Sequence, residues 1–186
     1  SIRDANGTLV YDSGDVLEQL TATAYPANFN ASNTNNTLDN RSDDKGPEPE
    51  AVTTGVINGR TYAFVGLERI GGVMVFDVTD PFAPVFMHYL NHRDFSAATN
   101  TPAALDLGVE SITFVSAADS PNGLPLIITS NESSGTVSVF RINPPPTPQN
   151  IAVWTYEPLQ GTAATPTPNI GTGTSALVGS MNGATT

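Results

Sequence analysis

The strongest constraint on this chain is that it carries one pattern of strands twice. The run AVTTGVI follows Glu50, Asn58-Gly59 turns the chain, and TYAFVGL follows; Gly71-Gly72 then opens VMVFDV, and TDPFAP separates it from VFMHYL. Each apolar run is short and bounded by Gly, Pro, Asn or Asp, as strands joined by tight turns are. VESITFV, a turn at Pro121-Asn122-Gly123, LPLIITS, Ser134-Gly135 and TVSVFRI repeat the plan. Glu110 falls on Glu50, Ile112 on Val52, Glu132 on Glu68, Gly135 on Gly72, and Val139-Phe140 on Val75-Phe76. A recurring four-stranded unit predicts an all-β chain built as a β-propeller, whose blades stack around a channel. A β-sandwich is the alternative if the two units align by chance.

At roughly forty to sixty residues per blade, 186 residues hold about three blades, whereas closed propellers have four to eight. The chain therefore reads as the C-terminal portion of a longer propeller. Residues 1-20 would end a preceding blade and 21-47 form a long acidic and polar loop. Residues 48-107 make one blade, 108-160 a final blade with a closing strand from IAVWTYEPL, and 161-186 a low-complexity Thr/Gly/Pro/Ala tail. An incomplete ring leaves blade faces and strand edges open, so remaining blades, neighbouring chains, self-assembly or a cell-envelope partner would have to cover them. Smaller features fit this frame. Asn6-Gly7 predicts a type I′ hairpin between Ile2–Asp4 and Thr8–Asp12. Asp15–Leu20 suggests a helical turn, and Asn28–Asn40 a polar surface loop. NPPPTPQ is a stiff spacer, and the tail has too few large side chains to offset the cost of ordering.

Charge removes several classes of function. Seven Lys and Arg stand against eighteen Asp and Glu, a net charge of -11, so nucleic acid and anionic membranes are repelled. No apolar run is long enough for a membrane span. The absence of cysteine excludes disulfides and thiolate sites. Abundant Gly and Pro with a single lysine, Lys45, fits an exported, extracellular β protein; the start at Ser1-Ile2-Arg3 reads as a processed or truncated end.

The candidate chemistry is acidic. RSDDKGPEPEAV places Asp43, Asp44, Glu48 and Glu50 within eight residues, directly before a strand. Calcium takes six to eight hard oxygens, and prolines lower the entropy lost when a loop closes around an ion. Glu50 and Glu110 open equivalent strands, and Glu68 and Glu132 end equivalent strands, so all four could converge at one rim with Asp43, Asp44 and Glu48 as a Ca2+ site assembled from several loops. The alternative is a solvated loop whose charges are met by Arg41, Lys45 and Arg69. His88 and His92 are four apart, a zinc spacing on a helix, but they follow a strand pattern. No G-x-S-x-G, GxGxxG or Walker motif is present. Asn6, Asn30, Asn35, Asn40 and Asn131 head N-x-Ser/Thr sequons.

RSDDKGPEPEAV, NGRTYAFVGLERIGGVMVFDVTDP and SGTVSVFRI together resemble the choice-of-anchor I family of exported bacterial proteins, itself similar to mesenchyme-specific cell-surface glycoproteins linked to biomineralisation. The likeness runs from about Ile2 to Ile142, with Ala51 standing where the family usually has glycine. The resemblance implies an extracytoplasmic β-propeller with calcium-holding acidic loops, and many members are labelled alkaline phosphatase-like or phytase-like. Two functions follow. One is a calcium-stabilised surface or matrix module that acts by interaction. The other is a calcium-dependent phosphoesterase, for which Arg60, Arg69 and Arg93 are the basic residues at hand.

Overall fold

The computed structural model describes residues 1–143 and the strand at 155–158. The spacer and the tail lie outside the described residues. Ten strands, one α-helix and a 3-10 turn at Pro102–Ala104 are described: β1 Ile2–Arg3, β2 Leu9–Tyr11, α1 Val16–Ala24, β3 Pro49–Ile57, β4 Arg60–Leu67, β5 Val73–Asp77, β6 Val85–Leu90, β7 Val109–Val115, β8 Leu126–Asn131, β9 Thr136–Asn143 and β10 Thr155–Pro158. Strands β3-β4-β5-β6 form one four-stranded antiparallel meander and β7-β8-β9-β10 a second, while β1 and β2 pair as a hairpin. The fold is all-β with one short helix; among the described residues the sheets form no closed ring.

Turn chemistry explains the hairpins, with one correction. Asn58 and Gly59 both have positive φ (51° and 78°), as a two-residue type I′ turn requires. At Asn6-Gly7 only Gly7 is left-handed, so that turn is not type I′. Asp4 is responsible: its Oδ1 accepts the backbone N–H groups of Asn6 and Thr8, and this cap favours a wider loop closed by Asp4 N–H to Thr8 O. The helical turn extends further than Leu20. Val16, Leu17, Leu20 and Ala24 line one face of α1 and join the cluster on the outer face of the first sheet, with Leu67, Met74, Phe76 and Tyr89.

Register bears out the internal repeat with one correction: Gly135 falls on Gly71, and Thr136 on Gly72. In the first sheet Pro49 pairs with Leu67 and a bulge follows at Glu50; in the second, Val109 pairs with Asn131 and a bulge follows at Glu110. The Glu68 N–H donates to Glu48 O and the Glu132 N–H to Gly108 O, so the residues before the two bulges also correspond. Gly66 opposite Val73 matches Ser130 opposite Val137, and Phe64 opposite Val75 matches Ile128 opposite Val139.

The two sheets stack face to face, chiefly through β7 against β3 and β4. Ala51, Phe64, Val73, Val75 and Leu90 of the first meet Val109, Ile112, Ile127, Phe140 and Ile142 of the second. Glycine makes this approach close: a Cβ on Gly55 would lie 2.6 Å from the Phe114 ring, and one on Gly66 would lie 2.7 Å from Val109. Phe114 fills the first gap and stacks on Phe64 with centroids 5.7 Å apart. The segment IAVWTYEPL carries β10, which pairs antiparallel with β9 at the edge of the second sheet; Trp154 and Val153 lie outside the described residues.

Candidate functional site

The start of β3, the end of β4, the start of β7 and the end of β8 all lie at one end of the stack, where the repeat places Glu50, Glu68, Glu110 and Glu132. Carboxylate oxygens of Glu48, Glu50 and Glu68 come within 4.8 Å of one another, Glu48 and Glu68 buried and Glu50 exposed. Asp43, Asp44, Glu110 and Glu132 belong to no such group among the described residues. Asp44 lies 2.7 Å from Arg41, and Glu110 and Glu132 are exposed beside their bulge.

Glu48 is the centre of this cluster, and arginine and lysine already surround it. Arg41 Nη2 lies 2.9 Å and Lys45 Nζ 3.3 Å from its Oε1, while Arg69 Nη2 lies 2.7 Å from its Oε2. Arg69 also reaches Glu68 at 2.6 Å. Burial opposes ionisation of Glu48, but hydrogen bonding from Arg69, Glu68, Lys45 and Arg41 outweighs it and holds the carboxyl well below its ordinary range. Glu68 moves the other way, raised by burial and by the neighbouring Glu48 despite Arg69. One carboxylate is thus firmly ionised and the other holds its proton more tightly, the usual result of crowding like charges.

The pairing of the acidic loop with Arg41, Lys45 and Arg69 is therefore observed. A divalent ion at this cluster would meet three close carboxylates, but Glu48 could serve it only by releasing Arg69 or Arg41. Glu48 also carries a left-handed backbone, φ 49°, where the second repeat has Gly108 at φ 74°. Such a conformation costs a residue with a Cβ about 1–2 kcal/mol. Three cationic contacts to one side chain supply a reason for the position to hold Glu.

The polar loop ascribed to Asn28–Asn40 is partly buried. Ala31 is fully covered, and Asn30, Ser32 and Asn33 are nearly so. Asn33 Nδ2 donates to Glu68 Oε1 and to Ser133 Oγ, both at 3.0 Å, which joins the ends of the two sheets through one side chain. Arg93 fixes the same loop from the other side: Nη2 donates to Asn35 O and Asn36 Oδ1, and Nη1 to Arg69 O. Composition gave no sign of this, because an Asn-rich solvated loop and an Asn-rich wedge have the same sequence pattern.

A second polar group lies between the sheets. His92 Nδ1 is 2.7 Å from Asp106 Oδ2, and Asp106 also accepts from Thr136 and Ser138. Burial would raise the Asp106 carboxyl, yet the contacts from His92, Ser138 and Thr136 hold it below its ordinary value. His88 is instead fully buried in β6 opposite Val75. The four-residue spacing of the histidines thus spans a strand and a loop, and the two rings have different surroundings. Of the sequons, Asn30 and Asn131 are buried, while Asn6 and Asn40 are exposed.

The family model for the choice-of-anchor I domain matches residues 1–81. The first half of the chain carries that domain's pattern. The matched span ends just after β5, short of the second repeat. Gigasin-3a of Magallana gigas is 29% identical over 166 residues, which is 81% of this chain and 58% of the relative. A mesenchyme-specific cell surface glycoprotein of Strongylocentrotus purpuratus is 35% identical over 82 residues, 39% of this chain and 10% of the relative. The chain thus spans only part of the length of these relatives. No solved structure matches it. Among the described residues no helix is long and apolar enough to cross a membrane.

Proposed function

We propose that this chain is a structural or interaction module of the cell surface or extracellular matrix, with its two meanders stacked as successive blades of a β-propeller. The observation that carries the reading is the repeated glutamate bulge, because it fixes two four-stranded sheets in the same relation to their neighbours. The choice-of-anchor I match and the similarity to a cell surface glycoprotein support the location. Protease treatment of intact cells producing the native gene product tests it. Digestion from outside the cell is expected; protection until lysis would overturn the placement.

Calcium at Glu48, Glu50 and Glu68 is a second reading, favoured by the 4.8 Å clustering of their oxygens. Titration calorimetry and melting with millimolar calcium test it. A calcium-dependent rise in Tm that Glu50→Gln abolishes supports the site, and an unchanged Tm leaves the arginines as the counter-ions. The phosphoesterase reading has less support. Arg60 pairs with Asp77, Arg69 with Glu48 and Glu68, and Arg93 with backbone carbonyls. Arg60 and Arg69 flank opposite ends of β4, roughly 20 Å apart at the rise of a strand, so the three arginines form no common phosphate cradle.

A further inference from the structure

We propose that the small cavity beside His92 and Asp106, between the two sheets, is a binding site for one water molecule, which bridges Asn131 at the end of β8 to His92 in the segment after β6. The direction of each hydrogen bond around the cavity follows from Asp106. Its carboxyl is held below its ordinary value despite burial, so at neutral pH it is ionised and only accepts. Three neighbours therefore donate to it: His92 Nδ1 at 2.7 Å, Thr136 Oγ1 at 2.8 Å and Ser138 Oγ at 2.6 Å.

The single proton of the Thr136 hydroxyl is thus committed to Asp106. Its 3.1 Å contact with Asn131 must then run from Asn131 Nδ2, because the amide turned over would set two lone pairs against each other. The other amide atom, Asn131 Oδ1, is left with no partner among the described residues, although Asn131 is only 2% exposed. Buried acceptors of that kind are uncommon, and ordered water is what meets them. His92 supplies a second such atom. Its Nδ1 carries the proton shared with Asp106, so the neutral ring keeps a lone pair on Nε2, which bonds no protein group among the described residues.

Both residues line one cavity of about 10 Å³, together with Gly72, Asp106, Thr129 and Phe140. That volume is what one water needs and is too small for an organic group. A calcium ion asks for six to eight oxygens. Here Asn131 Oδ1 is uncommitted, but both Asp106 oxygens already take protons. Water serves His92 in either state, donating to the neutral Nε2 or accepting from the protonated one, and in both it donates to Asn131. The backbone points to the same place. Leu105, directly before Asp106, has φ 62° and ψ −127°, a left-handed conformation that few residues with a Cβ adopt. Strain persists where the surroundings over-determine it, and three bonds to the next side chain do so here. His92 and Asp106 belong to the segment between the sheets, and Asn131, Thr136 and Ser138 to the second sheet, so the bridged site pins that segment down.

A crystal structure of the full chain, from crystals grown without ammonium salts, tests the site. A single density peak is expected within about 2.7–3.2 Å of both Asn131 Oδ1 and His92 Nε2. No peak, a protein donor seated on Asn131 Oδ1, or an anomalous scatterer at metal distances of about 2.0–2.6 Å overturns the proposal. In solution, water relaxation dispersion counts the waters that stay longer than the protein tumbles. Asn131→Leu, with an unchanged far-UV spectrum, should hold one fewer per molecule than the parent; an equal count overturns the proposal too. The crystal of the parent needs no variant, so it decides the matter if Asn131→Leu does not fold. None of these results touches the cell-surface placement, which protease treatment tests separately.

Discussion

Gly55→Ala turns the stacking of the two sheets into a question of sign. In an ordinary strand the change stabilises by about 0.5–1 kcal/mol, because glycine loses more backbone entropy on folding. Here the new Cβ would lie 2.6 Å from three atoms of the Phe114 ring. Carbon atoms in contact sit about 3.5–4.0 Å apart, so the overlap is roughly 1 Å. The ring cannot back away freely, since it stacks on Phe64 with planes 16° apart and Phe64 is wholly buried. Overpacking costs about 1–3 kcal/mol, and an overlap of about 1 Å against a held ring belongs to the upper part of that range, about 2–3 kcal/mol, leaving a net loss of about 1–2.5 kcal/mol after the entropy gain. Urea unfolding of the full chain followed by circular dichroism reads this as a lower midpoint with an unchanged slope. Adding Phe114→Leu should recover part of the loss, so the double-mutant cycle should show coupling of about 0.5 kcal/mol or more. A neutral or stabilising Gly55→Ala, or strict additivity, would refute the packing between the sheets.

Glu48→Gln removes the carboxylate shared by Arg41, Lys45 and Arg69, but Arg41 keeps Asp44 and Arg69 keeps Glu68, so it should cost about 1.5–3 kcal/mol in urea unfolding; a loss below about 0.5 kcal/mol would mean that the network is only surface decoration. Asn58→Ala forces a Cβ residue without a side-chain amide into φ 51° and should lower stability by about 1 kcal/mol, measured the same way. His88 supplies a pH test. Burial pushes its pKa down to about 4 from 6.5, so the unfolded chain binds the extra proton first and stability falls as pH drops from 6.5 towards 4, by about 3 kcal/mol in all. Glu68, whose pKa is raised, acts in the opposite sense through an overlapping window, since its contribution is present at low pH and lost as pH rises. The quantity to measure is therefore the difference between His88→Leu and the parent across that range. A difference independent of pH would place the His88 ring in contact with water.

What could be read from the sequence was whatever local chemistry decides. Asn58-Gly59 specifies its turn by itself, and the alternation in TYAFVGL and TVSVFRI tells which side chains share a face. Asn6-Gly7 misled because Asp4, two residues earlier, offers a competing cap. The glutamate correspondence held because bulges are features of register, and register is repeated along with the strands. The cluster was legible only in part. Glu48, Glu50 and Glu68 converge, and Arg41, Lys45 and Arg69 are the charges the sequence puts beside them. Spacing does not say that Glu48 and Glu68 are buried, or that Asp43, Asp44, Glu110 and Glu132 stay outside the group. Asn33 and Asp106 were not singled out, since a short polar residue looks the same whether it faces water or holds two sheets together.

The two repeats share a backbone at the glutamate end and differ in what they attach to it. Gly108 serves a left-handed corner with no side chain, while Glu48 serves the same corner and draws in three cations. The 21–47 segment supplies Arg41, Lys45 and Asn33 to that end, and Asn33 reaches Ser133 of the second repeat. The 21–47 segment thus ties the ends of the two sheets together through Asn33. That accounts for a stiff acidic stretch directly before a strand: Pro47 and Pro49 limit the freedom of the corner, and Glu48 exchanges solvent for guanidinium groups that come from the inserted loop and from the end of β4. Any cation that acts on this end has to compete with Arg69, and what it would change first is the hold between the sheets.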